Sequence, residues 1–152
     1  MRGRPTPEVV LAVEGFYDGP ESGYANFRGL PHYFEVVEEI EKRGRTHRRF
    51  RLLPAPQELL RLVLEQHQLW SRWNVKYRKD EIPEEFPYME RVLPEDLERY
   101  RALGSLAEGL RQQVYGEAFV ANGRFFGGRR VTQYHAFGEN LRVVWSHIRS
   151  AA

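Results

Sequence analysis

Between Tyr17 and Glu35 the chain places Tyr17, Asp18, Tyr24, Asn26, Arg28, His32, Tyr33 and Glu35 within nineteen residues. An acid, a forked cation, an imidazole and several phenol hydroxyls hold a ligand by charge and hydrogen bonding, or pass protons between donor and acceptor. In the catalytic version, Asp18, His32 or Glu35 acts as acid or base and Arg28 clamps an anion, with no metal required. The glycines of the same stretch, Gly15, Gly19, Gly23 and Gly29, answer to backbone geometry instead: turns, a bulge, close approach of strands. Those demands do not account for the polar side chains. The competing reading is a solvated strand face with ordinary tyrosines.

The other constellations are weaker. Five histidines, His32, His47, His67, His135 and His147, show no HExxH and no pairing with carboxylates at ligand spacing, so no metal site is expected. His67 lies four residues after Val63 and three before Trp70, the setting of a packed core histidine. The run Lys42 to Arg51 resembles a phosphate-binding patch, with Phe50 available for stacking. Glu35, Glu38, Glu39 and Glu41 stand just before it, however, and a hairpin turning at Gly44 sets these acids opposite Arg45, Arg48, Arg49 and Arg51. GxxxxGK[ST], GxGxxG and GxSxG are all missing, and Gly-rich "GRFFGGRRV" precedes no helix, which excludes the common phosphate cradles and the hydrolase elbow. Trp70, Trp73 and Tyr77 follow helical spacing and read first as core, with Trp70 retained as a candidate contact for a ligand or partner.

Composition bounds the rest. A chain of 152 residues with 41% apolar and 13% aromatic residues is long and apolar enough to bury one core, so a single domain over 1–152 is expected. Without cysteine there is no disulfide, thiolate nucleophile or Cys-based zinc site. A net charge of +2 leaves little field to attract nucleic acid. The apolar run Val9 to Val13 is too short for a signal or a membrane span, which points to a soluble cytoplasmic protein.

These side chains need elements to position them. Val9 to Tyr17 reads as a strand that ends at Asp18-Gly19-Pro20. "YANFRG", "PHYFEVVEEIE" and "THRRFRLL" continue it as an antiparallel meander through short connections. After Pro56 the period changes to three and four through Leu59, Leu60, Val63, Leu64, His67, Trp70 and Trp73, predicting a helix. A charged stretch broken by Pro83, Pro87 and Pro94 reads as a linker. A second helix follows from Pro94, with Leu97, Tyr100, Leu103, Leu106, Leu110 and Val114 on one face. Asn122-Gly123 predicts a tight hairpin turn, and "VTQYHAF" and "LRVVWSHI" a further pair of strands about Gly138-Glu139-Asn140. The expected fold is α+β: an N-terminal antiparallel meander, a central antiparallel helix pair, C-terminal β-hairpins, and the helices packed on one mainly antiparallel sheet.

"VEGFYDGPESGYANFRGLPHYFE", a short basic strand, "LLPAPQELL" and "LEQHQLWSRW" together resemble a family of short, uncharacterised bacterial proteins that begin with an FYDGP…SG…G-PH-F pattern. The resemblance covers Val13 to Trp73. It implies a small stand-alone bacterial protein and assigns no catalytic residue. The expected function is a non-catalytic binding or protein-interaction module. Its contacts would come from Tyr17, Asp18, Tyr24, Arg28, His32, Glu35 and Trp70, and its partner would be a protein or a small molecule. No cofactor, membrane or nucleic acid enters this reading. The alternatives are a metal-independent acid/base enzyme on the same hairpins and a weak nucleic-acid module on the arginine run.

Overall fold

A computed structural model of the chain describes residues 5–83, 85, 87–127 and 140–151. Six strands are present among them: β1 (Glu8–Phe16), β2 (Pro20–Phe27), β3 (Leu30–Lys42), β4 (Arg45–Pro54), β5 (Phe119–Phe126) and β6 (Arg142–Ser150). Two helices, α1 (Gln57–Arg78) and α2 (Leu97–Arg111), lie between β4 and β5, with a single 3₁₀ turn at Pro94–Asp96 leading into α2. The chain divides into two compact units, residues 1–57 with 114–152, and residues 58–113.

The first unit is a closed antiparallel barrel in which each strand pairs with its sequence neighbour and β6 returns to β1. This corrects the expected α+β sheet with helices packed on it. The reason lies in the inward positions. Along β2 to β6, Ala25 and Phe27, Phe34, Phe50 and Leu52, Ala121, and Val143 and Trp145 alternate with outward residues, and all belong to one buried cluster. Phe34, Phe50, Phe125 and Trp145 come from four strands, and each ring centroid lies 5.3–6.0 Å from those of the others. A sheet whose inner face meets itself across a barrel needs no helical layer to bury that face. Register shifts in β1 against β2 mark the bulges that let the sheet curl.

Asn122-Gly123, expected as a hairpin turn, instead lies inside β5. Gly123 is there for space: a Cβ would stand 2.6 Å from the Trp145 ring and 2.9 Å from Phe50. The tight turns fall elsewhere. Arg28-Gly29 and Arg43-Gly44 join paired residues Phe27 with Leu30 and Lys42 with Arg45, and all four turn residues have positive φ, as a two-residue type I′ turn requires. "VTQYHAF" and the turn at Gly138-Glu139 lie outside the described residues.

In the second unit, side chains link α1 to α2 in an antiparallel sense. Arg99 pairs with Glu65, the Gln66 amide donates to the Tyr100 carbonyl at 3.2 Å, and Arg72 reaches Asp96 at 3.3 Å. Val63 and Leu103 are buried, while Leu64 and Leu110 are half-buried and Leu106 and Val114 are exposed, so the expected apolar stripe of α2 is narrower than the sequence suggests. No helix among the described residues is long and apolar enough to cross a membrane.

Candidate functional site

At the end of the barrel where β2 turns into β3, β4 finishes and β5 begins, a cleft of about 580 Å³ opens. Phe27, Arg28, Leu30, His32, Tyr115 and Phe119 are among the residues that line it. Its construction starts with the turn. Arg28 and Gly29 leave their backbone N–H groups pointing outward, and both donate to the Glu8 carboxylate, at 3.0 and 2.7 Å. The carboxylate therefore holds the turn through its backbone and leaves the Arg28 side chain free to lie over the barrel end. There the guanidinium carbon sits 4.8 Å from the ring centres of both Phe27 and Phe119, a doubled cation–π contact. The guanidinium has no hydrogen-bond or ion-pair partner among the described residues. Its N–H fork is positioned and unused.

His32, one register step inside β3 from this turn, is buried and packs its ring edge-on to Phe27 at 5.1 Å. Its Nδ1 lies 2.8 Å from the Leu30 carbonyl oxygen, which can only accept, so Nδ1 carries the proton. Burial holds the imidazole below its ordinary pKa, outweighing the Leu30 bond and the Glu8 charge that favour protonation; Arg28 adds to the lowering. The neutral ring keeps an Nε2 lone pair as acceptor. Glu117, also in the lining, accepts from the Ser150 hydroxyl at 2.7 Å.

The residues expected to form one site from the first hairpins are dispersed. Arg28 and His32 share the cleft. Tyr17 and Asp18 lie at the other end of β2, in the β1–β2 turn, where they border a separate groove of about 840 Å³ with Arg45, His47 and Arg124. Glu35 faces outward from β3 and pairs with Arg51. Tyr24, expected as a contact residue, is fully buried with its ring 5.4 Å from Tyr33. Trp70 lies half-buried on α1, in the second unit. The acid/base set of Asp18, His32, Glu35 and Arg28 is thus not assembled, because a strand sends residues of odd and even spacing to opposite faces and its two turns to opposite ends.

Of the arginine run, Arg48 and Arg51 are committed, whereas the Arg49 Nε is buried with no hydrogen-bond partner among the described residues and Arg45 stands opposite Lys42 rather than an acid. Arg48 donates to the carbonyls of Tyr17 at 2.5 Å and Gly19 at 3.1 Å and to Glu39 at 3.0 Å, and Glu38 stands opposite Arg49 in the β3–β4 register. Sequence reasoning missed Tyr115, Glu117 and Phe119 as part of the cleft, and Glu8 as the anchor of its turn. Tyr115, Glu117 and Phe119 lie far along the chain from Arg28, and no local pattern links them to it. Among the described residues no three His, Cys, Asp or Glu side chains cluster as a metal site requires.

Fold and cleft together define a small antiparallel barrel with a preformed, mainly apolar recess at one mouth. Compared with known proteins, the chain matches no family model, no curated protein and no solved structure.

Proposed function

We propose that the protein is a non-catalytic binding module that takes a small molecule in the cleft at the β2–β3 end of its barrel. The observation that carries this reading is the Arg28 guanidinium, seated over two adjoining aromatic rings with no hydrogen-bond partner among the described residues, in a recess of about 580 Å³ walled mainly by apolar side chains. Barrel mouths are frequent ligand sites, and recesses of this volume suit small molecules. An enzymatic reading has less support, since His32 is the one acid/base group of the expected set beside Arg28. The FYDGP…G-PH-F resemblance fits a small bacterial protein and supplies no ligand.

Chemical-shift mapping with a library of small aromatic and aliphatic fragments tests the proposal. Shifts should concentrate on Leu30, His32, Tyr115 and Phe119. A library whose binders all map to the groove beside Asp18 and Arg124, or that yields no binder, would refute it.

A further inference from the structure

We infer that the ligand of this cleft is a monocarboxylate with a compact apolar or aromatic body, an inference that rests on the cleft being the binding site. Three features of the wall select this chemistry. A guanidinium presents two parallel N–H donors whose spacing matches the two oxygens of a carboxylate. At Arg28 the side chain is seated before any ligand arrives, its guanidinium carbon 4.8 Å from both the Phe27 and Phe119 ring centres, which are themselves 5.3 Å apart. Preorganisation lowers the entropic cost of forming a bidentate pair. The walls beyond the fork, Leu30, Pro31, Pro54 and Phe119, offer an apolar body van der Waals contact and no hydrogen bond from their side chains.

The remaining polar lining residues are His32, Gln57, Tyr115 and Glu117, and two of them, His32 and Glu117, narrow the choice. His32 is neutral, with Nδ1–H committed to the Leu30 carbonyl, so it adds an acceptor and no second cation. Glu117 places a carboxylate in the same lining. A ligand with a second negative charge, such as a phosphate monoester or a dicarboxylate, would meet Glu117, with Arg28 as the one cation among the lining residues to offset it. One negative charge with an apolar remainder matches one unpaired cation with apolar walls.

Phenylacetate and its neutral isostere phenylacetamide, titrated at pH 7.5 and followed by chemical shifts of Phe119 and His32, provide the test. The carboxylate should bind about tenfold or more tightly than the amide, reflecting the charge-assisted pair. Arg28→Asn, which suits the left-handed turn, should remove that preference while the circular dichroism spectrum stays unchanged. Arg78→Gln, an equal charge loss at the end of α1, should preserve it. Equal binding of acid and amide would overturn the carboxylate inference and leave the cleft standing as an apolar site. Binding of neither probe would count against the inference and against the cleft reading together. A preference lost equally in Arg78→Gln would reduce it to bulk charge attraction and overturn it.

Discussion

Arg28 separates what serves the turn from what serves the cleft. The Glu8 carboxylate grips the two backbone N–H groups of the turn, and any residue that tolerates positive φ could supply them. Arg28→Asn should therefore change stability by less than about 1 kcal/mol, relieved backbone strain offsetting the lost cation–π contact; a guanidinium denaturation curve measures it. His32 carries a pH signature. Its unfolded value is near 6.5 and burial lowers the folded one, so in the window below 6.5 the unfolded chain binds the additional proton. Stability from this group is complete above the unfolded value and is lost as pH falls through that window. His32→Gln should accordingly lose less stability than the parent between pH 7 and pH 5 when melting curves are compared.

At the scale of the elements, Arg48 fastens the β1–β2 turn to the β3–β4 hairpin, with a side chain only 14% exposed that donates to turn carbonyls and to Glu39. Arg48→Ala should cost about 1.5–3 kcal/mol, the loss expected for charge-assisted bonds. Arg51→Ala breaks a pair exposed at 47% and 31% and should cost under about 1 kcal/mol, as surface ion pairs do. Urea melts of both variants distinguish these roles. In α2, Leu103 is 4% exposed and Leu106 60%. Leu103→Ala should destabilise by about 2–5 kcal/mol through lost transfer energy and a cavity. Leu106→Ala should stay within about 0.5 kcal/mol.

For the whole molecule the decisive property is closure. β3 and β6 do not pair with each other, yet Phe34 and Trp145 meet inside with ring centres 6.0 Å apart. An open sheet folded in sequence order would keep those rings apart. A double-mutant cycle with Phe34→Leu and Trp145→Phe should give a coupling energy of about 0.5 kcal/mol or more. Strict additivity would mean that the two inner faces do not touch. Closure also requires β4, ending at Pro54, to find β5, starting at Phe119, across the whole helical unit. Such non-local pairing carries a loop-closure cost before its contacts form, so stopped-flow refolding should fall in the millisecond-to-second range of β-barrels rather than the microseconds of helical bundles.

Where strands and helices lie was largely legible from residue order, since alternation, helical spacing and turn chemistry are local properties of a few neighbouring residues. The meander from Glu8 to Pro54 and the start of α1 after Pro56 follow from such patterns. Glu39 opposite Arg48 followed from one turn at Gly44. Only the tertiary structure decided that the sheet closes, because an edge strand and a closing strand carry the same alternation and differ in a partner far along the chain. It also decided that Asn122-Gly123 continues a strand. Two positive-φ residues are one use of that dipeptide, and room for Trp145 against Phe50 is another, visible only once β6 and β4 flank β5. The cleft belongs to the same class: Arg28 and His32 stood out by type, but Tyr115 and Phe119 reach them through the non-local pairing of β5 with β4, which no spacing in the sequence encodes.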